Sequence, residues 1–175
     1  FLSGLFVRRQ DTIVKIEPNL VIRGSVYPPA RRLISPKAID LFKVSVESQI
    51  LSDDELYAGK ICAALDRQHP RDLFDIMMLL RYGNFSVAMR RAFIVYLISH
   101  DRPMVELLDP GLVDIRPVFE TEFQGMTLEE VGCEDLEKTR GELVAMIADG
   151  LTVAEKQFIV SVKEGTPQWE LIGVE

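Results

Sequence analysis

The sequence has few of the residues that build crosslinks and metal centres. Two cysteines and two histidines in 175 residues are too few for a disulfide framework, and they show no zinc-ligand spacing. Long hydrophobic runs are also missing, since the uncharged apolar stretch at 92–99 is far short of the roughly 18–20 residues that cross a bilayer. These absences exclude a disulfide scaffold, a zinc finger and a membrane-spanning protein, and they predict a protein of the reducing cytoplasm.

The apolar and charged contents are ordinary. Hydrophobic residues make up 47% and charged residues 27%, which is enough for the packed core of one domain and excludes a disordered chain. The net charge of −7 is uneven, because residues 1–91 carry +4 and residues 92–175 carry −11. This imbalance has two interpretations: a basic part that faces phosphates with an acidic part that faces a basic partner, or simply an uneven surface.

The first third of the chain has a strand pattern. β-branched residues dominate 12–23, with a break at Pro18 and Asn19 that predicts one bulged strand or two short ones. Residues 24–36 are rich in proline and predict a loop. Apolar residues at 42, 44 and 46 alternate with polar ones, which predicts a half-buried strand.

Capping and stop signals dominate the rest of the chain. They predict helices at 53–67, 70–82, 87–100, 134–149 and 153–164. Ser52 and Glu55 match a capping box, Gly83 is expected to stop the second helix in a left-handed conformation, and residues 127–130 match another capping box. Residues 112–126 are predicted to be irregular. The order predicts an α+β fold, with a strand-rich part at 1–51 and a helical part at 52–175.

Charged residues concentrate on the first two helices. Lys60 and Arg67 are seven residues apart and share one helix face, and Asp72 and Asp75 lie one turn apart on the next helix. A short link makes these helices neighbours, so the four side chains and Arg71 can converge. Two interpretations stay open from the residues alone: a phosphate-handling site in which Lys60 meets a triphosphate, or a salt-bridge cluster that holds a helical hairpin.

Five segments carry a recognisable pattern. They are KIE at 15–17, ELYAGKICAALDRQHPRDLFDI at 55–76, YLISHDRPMVELLDP at 96–110, FETEFQGMT at 119–127 and FIVSVKEGTPQWEL at 158–171. Together they resemble the AbiEii/AbiGii nucleotidyltransferase toxins of abortive-infection and toxin–antitoxin systems, and the resemblance covers most of the chain.

The resemblance implies a polymerase-β-like nucleotidyltransferase core, of which the N-terminal strands are a remnant, followed by a helical C-terminal part. It also implies a Mg²⁺-dependent enzyme that transfers nucleotides from an NTP to RNA, at the tRNA acceptor end, and is opposed by a cognate antitoxin. The implied site residues are Glu17 as metal ligand, Lys60, Asp72 and Asp75 as catalytic residues, and Lys60, Arg67 and Arg71 as nucleotide-phosphate contacts. Their positive charge makes Arg8, Arg9, Arg31 and Arg32 candidates for contacts with the RNA backbone.

One family feature is missing before Glu17. The sixteen upstream residues contain no Gly-Ser turn followed by Asp-x-Asp, the pattern that supplies two metal ligands in the family. Because two-metal catalysis needs several carboxylates, we expect the chain to be a fragment that is inactive by itself, even if its parent is an enzyme. The alternative is a non-catalytic interaction module with a degenerate nucleotidyltransferase fold, which binds an antitoxin or another protein.

Overall fold

Two short antiparallel strand pairs precede most of the helices. The computed structural model describes residues 4–16 and 24–173. The strands are β1 (Leu5–Arg9), β2 (Thr12–Ile16), β3 (Ala30–Leu33) and β4 (Glu47–Ile50). The helices are α1 (Pro36–Phe42), α2 (Asp53–Arg67), α3 (Pro70–Tyr82), α4 (Val87–Ile98), α5 (Met104–Leu108), α6 (Arg116–Glu122), α7 (Cys133–Gly150) and α8 (Val153–Lys163), followed by a 3₁₀ turn at Trp169–Leu171. The predicted α+β class is confirmed.

The strand predictions are confirmed in part. β2 occupies the beginning of the strand predicted at 12–23, and residues 17–23 lie outside the described residues. The predicted loop at 24–36 contains β3, so that prediction was incomplete. The alternation around Phe42 does not form a strand. Phe42 ends α1, and Lys43 takes a left-handed conformation with φ of 54°, after which the chain enters β4.

Five helix predictions are confirmed within a few residues. α2, α3, α4, α7 and α8 match the predicted helices. Ser52, Ser86 and Thr152 precede α2, α4 and α8, and each side-chain oxygen accepts the backbone N–H of the third residue that follows. These bonds satisfy donors that a helix leaves unpaired at its first turn.

Three details of the helical part differ from the predictions. Residues 112–126 contain α6 instead of irregular structure. Gly83 follows α3 with φ of −118°, so it is not left-handed. Residues 127–130 cap no helix, and the start of α7 is stabilised by Asp135, whose carboxylate accepts the N–H of Gly132 at 2.9 Å.

α2 and α4 form the centre of the helical part. α2 packs against α4 and α3, α3 packs against α7, and α8 packs against α4. The packed faces carry these fully buried side chains: Ile61, Leu65, Leu73, Ile76, Phe93, Leu97 and Phe158. Burial of each such side chain contributes about 1.5–3 kcal/mol, so α2 and α3 are held firmly by their neighbours. None of the described helices combines the length and the apolar character that a membrane crossing requires.

Candidate functional site

α2 and α3 form a helical hairpin that carries the charged residues singled out from the sequence. Gln68 follows α2, takes a left-handed conformation with φ of 50° and donates its N–H to the carbonyl of Ala64 at 3.1 Å. α3 begins with Pro70 in its first turn, and Nδ1 of His69 accepts the N–H of Arg71 at 3.2 Å. Because proline suits a first helical turn and both ends are capped, the short link sets the two helices side by side.

Apolar residues orient the hairpin. Ile61 and Leu65 of α2, and Leu73 and Ile76 of α3, are at most 1% exposed. A helix buries its apolar stripe and leaves the opposite side to polar residues. The charged residues of both helices are therefore placed at the surface.

Two ion pairs join the helices on this outer side. The ammonium of Lys60 contacts the carboxylate of Asp75, and Nη2 of Arg67 donates to Oδ1 of Asp72 at 2.8 Å. The Lys60 and Asp75 side chains are 41% and 39% exposed, so solvent screens this pair and limits its contribution to about 1 kcal/mol. The structure thus brings four of the five residues together as their spacing predicted.

Asp72 is the less exposed carboxylate of the two. Its side chain is 15% exposed, and its Oδ2 is buried without a hydrogen-bond partner among the described residues. A buried acceptor that lacks a donor costs about 1–3 kcal/mol, and more when the group is charged. Because this oxygen is closed off from the surface, Asp72 acts outward only through Oδ1, which holds Arg67.

Arg71 contacts α6 instead of the two ion pairs. Its Nη2 lies 3.5 Å from the carbonyl oxygen of Glu122 and 4.0 Å from Oε2 of the same residue. Nε2 of His69 lies 3.2 Å from that carboxylate. Arg71 and His69 therefore join the start of α3 to the end of α6.

The four arginines considered for RNA contacts differ in their partners. Arg31 lies on β3 and pairs at 3.6 Å with a glutamate of β4, and Arg32 donates to Asp53 at 2.7 Å. Arg8 and Arg9 lie on β1 and contact no carboxylate within the described parts of the chain. Within the described residues, Arg8 and Arg9 thus differ from Arg31 and Arg32, which both pair with a carboxylate.

Glu17, the predicted metal ligand, lies outside the described residues. Among the residues that are described, no group of three or more Asp, Glu, His or Cys side chains is placed to hold a metal ion. Asp72 and Asp75 each contact a cationic side chain. The described residues therefore do not form a magnesium site by themselves.

A buried carboxylate on α2 has a role that the sequence analysis missed. Ser52 Oγ accepts the N–H of Glu55 at 3.2 Å, so half of the predicted capping box forms. The Glu55 side chain is not used in that box. It is fully buried and accepts the N–H of Val26 at 2.9 Å, the N–H of Tyr27 at 3.1 Å and the hydroxyl of Tyr96 at 3.2 Å. Glu55 thus joins the segment before β3 to α2 and α4.

The position of Glu55 on α2 could have indicated this role from the sequence. It lies three residues before Ala58, which is fully buried, so both residues fall on the apolar face of the helix. The neighbouring Tyr27 is also partly buried. Its hydroxyl donates to the carbonyl of Ala88 at 2.8 Å, and burial raises the pKa of this phenol above its ordinary value.

Comparison with known proteins agrees with the resemblance seen in the sequence. The family model described as nucleotidyl transferase AbiEii toxin, Type IV TA system, matches residues 3–158. Neither the curated proteins nor the solved structures contain a match to the chain. The family implies an NTP substrate, typically a divalent metal, and an antitoxin partner. Because the match spans most of the sequence, this chain belongs to the AbiEii nucleotidyl transferase toxin family of toxin–antitoxin systems.

Proposed function

We propose that the chain is the nucleotide-facing part of an enzyme that transfers nucleotides from an NTP to RNA, at the tRNA acceptor end. Family membership supports the reaction class. The residues that would carry it are on the outer side of the α2–α3 hairpin.

The observation that carries the proposal is the presence of two cations, Lys60 and Arg67, on the outer side of the hairpin, each held by a carboxylate of α3. Their side chains are 41% and 61% exposed, so an anion can reach both. A nucleotide offers the matching group, because its phosphates accept hydrogen bonds from cations.

Each residue then has a distinct role. Lys60 neutralises charge on the triphosphate, and Asp75 holds the ammonium in position. Arg67 makes a second phosphate contact, and Asp72 orients Arg67 through Oδ1. Arg71 contributes from the α6 side of the hairpin. Such positioning and charge neutralisation supply most of the catalysis in phosphoryl-type transfers.

The described residues alone do not supply the metal site that this family typically uses. The Mg²⁺ ion that we expect would take its ligands elsewhere, with Glu17 as one of them. The α2–α3 hairpin would therefore bind and orient the nucleotide, and it would not coordinate the metal.

Nucleotide titration of matched lysine variants tests the proposal. Lys60→Ala should weaken the affinity for an NTP by at least tenfold, because a charge-assisted contact is worth about 1.5–3 kcal/mol. Lys138→Ala is the control, since Lys138 also pairs with a carboxylate, at 3.6 Å, but lies on α7. The Lys138 variant should bind like the wild type.

Two results would contradict the proposal. Equal affinities for the Lys60 and Lys138 variants would show that Lys60 forms only a structural ion pair. Absence of NTP binding by the wild-type chain, combined with capture of the cognate antitoxin, would favour the non-catalytic interaction module.

A further inference from the structure

Two adjoining hollows lie between α3 and the start of α7. The first has a volume of about 360 Å³ and is lined by α3 and by the segment 126–131. The second has a volume of about 530 Å³ and is lined by α6, the same segment and the start of α7. Thr127, Leu128 and Val131 line both hollows, so the segment 126–131 forms a ridge between them. The two hollows and this ridge are named the α3–α7 groove.

Aromatic rings join the floors of the two hollows. Phe74 lines the first hollow and Phe119 lines the second. The ring of Phe123 is buried between them, with its centre 5.6 Å from the centre of each. Tilted rings at this separation attract each other and pack closely. The floor of the groove is therefore fixed by the packing of α3 against α6.

The walls of the groove expose large apolar side chains. Leu128 is fully exposed, and Tyr82 and Met126 are 78% and 63% exposed. Met78 lines the first hollow one turn after Phe74, on the same face of α3. Single exposed apolar residues are common, but a contiguous apolar patch around a concave surface marks a binding site for another molecule.

The rim of the groove is acidic. Residues 117–137 contain seven Asp and Glu and no Lys or Arg. Glu129 lines the first hollow and Glu130 the second, and neither carboxylate forms an ion pair within the described parts of the chain. Two arginines line the groove: Arg81 lies in the last turn of α3, and Arg116 already pairs with a glutamate of α7 at 2.7 Å. Acidic groups around an apolar surface favour a cationic partner.

We propose that the α3–α7 groove binds a basic amphipathic helix of a protein partner. Apolar side chains of that helix enter the two hollows on either side of Leu128, and its Lys or Arg side chains contact Glu129 and Glu130. The part of α3 that lines the groove, residues 74–82, extends over about 12 Å. This length matches a helix that presents apolar anchors on successive turns.

Charge favours this partner over two others. The acidic rim repels the phosphates of an RNA. A second copy of the chain that packed groove to groove would set the same carboxylates against each other. The groove is also separate from the nucleotide-facing side of the hairpin, because Phe74 and Asp72 differ by about 200° of rotation around α3. The inference is therefore independent of the proposed function.

The test is fluorescence anisotropy of a labelled synthetic peptide with the full chain. The peptide has about 18 residues, or about five helical turns, with leucines on one face and lysines on the other. A peptide of the same composition in scrambled order is the control for charge alone. It should bind about tenfold more weakly, because it presents no apolar face.

Variants of exposed apolar residues locate the contact. Leu128→Ala should lower the affinity for the amphipathic peptide about tenfold, as expected for an anchor at the centre of an interface. Val153→Ala is the matched control, because Val153 is also exposed but lies on α8, outside the groove, and it should bind like the wild type. Both side chains are exposed, so circular dichroism should show an unchanged fold.

Variants of exposed acidic residues test the rim. E129Q/E130Q should lower the affinity about fivefold and reduce its dependence on salt, because it removes two charges that face the lysines of the peptide. E106Q/E164Q is the control, since it removes equal charge from exposed positions outside the groove, and it should change the affinity by less than about twofold.

Three results would overturn the inference. They are no binding of the amphipathic peptide by the wild type, equal affinities for Leu128→Ala and Val153→Ala, and equal affinities for the two acidic variants. Sedimentation velocity adds a fourth: a wild-type dimer that Leu128→Ala converts to a monomer would make a second copy of the chain the occupant of the groove.

Discussion

A single buried residue, Glu55, holds one chain segment against two helices. Its carboxylate is fully buried and accepts two backbone N–H groups and one hydroxyl, all at 2.9–3.2 Å. Hydrogen bonds to a charged group contribute about 1.5–3 kcal/mol each when one partner is removed from a buried site. The residue therefore sets where the segment before β3 lies against α2 and α4.

Glu55→Ala should lower the free energy of unfolding by about 3 kcal/mol, because two backbone donors lose their acceptor in a buried setting. Glu55→Gln keeps one carbonyl acceptor and should cost less, about 1–2 kcal/mol. Urea unfolding followed by circular dichroism measures both values. The control is Glu120→Ala, an exposed position of α6, which should change stability by less than about 0.5 kcal/mol. Equal losses for the Glu55 and Glu120 variants would disprove the role of Glu55.

The tertiary contacts of single residues were the hardest feature to predict from the sequence. The Ser52–Glu55 pattern predicts a local capping box, and Ser52 fulfils its half. The Glu55 side chain instead binds Val26 and Tyr27, which are 29 and 28 residues away. A contact over such a distance leaves no trace in a local pattern, so only the tertiary structure reveals it.

At the scale of elements, a buried ion pair joins α4 to α8. Nε of Arg90 donates to both carboxylate oxygens of Glu155 at 2.7 and 2.8 Å, and the N–H and hydroxyl of Thr152 each donate to Oε2 at 2.8 Å. The side chains of Arg90 and Glu155 are only 14% and 6% exposed. The predicted capping box of α8 is thus also part of a tertiary contact.

This junction should make stability depend on pH. Burial acts to raise the pKa of Glu155, but the hydrogen bonds from Arg90 and Thr152 outweigh it and hold the pKa below the ordinary 4.5. Because the folded-state pKa is lowered, the stabilisation is present above pH 4.5 and is lost as the pH falls through the folded-state pKa. Glu155→Gln should cost about 2 kcal/mol at pH 7 and show a weaker loss of stability on acidification.

Glu134→Gln is the matched control for this pH dependence. The Arg116 guanidinium also lowers the pKa of Glu134, but the Glu134 side chain is 72% exposed, so solvent screens the interaction. The unfolding free energy of the Glu134→Gln variant should follow that of the wild type from pH 7 to pH 3. Identical pH curves for the Glu155 and Glu134 variants would refute the assigned role of the α4–α8 junction.

Long helices with clear caps were predictable, and short elements were not. α2, α3, α4, α7 and α8 have apolar periodicity over several turns and identifiable first or last residues. α1, α5 and α6 span seven, five and seven residues, which is too short for a helical period to stand out. The alternation at 42–46 was misleading for the same reason, because three apolar positions fit a strand and a helix end equally well.

The convergence of Lys60 with Asp75 could be predicted, since it needs only helix geometry and a short link.

At the scale of the whole molecule, charge and packing divide the chain at different points. The +4 of residues 1–91 includes the exposed cations of β1, and the −11 of residues 92–175 lies on the later helices and the segments between them. Every residue of the four described strands is exposed, whereas the buried core comes from the helical part. The packed core therefore includes helices of both the basic and the acidic part, and residues of the described strands do not contribute to it.

This division predicts a large difference in hydrogen exchange along the chain. A two-stranded hairpin is marginally stable by itself, and the residues of β1 and β2 bury no apolar side chain. Their amides should exchange within seconds to minutes, whereas amides in α2 and α4, which surround Ile61 and Phe93, should exchange only on global unfolding. Mass spectrometry of peptides from 4–16 and 53–98 measures both rates. Equal protection of 4–16 and 87–98 would show that the hairpin is covered, and would contradict the exposure of β1 and β2.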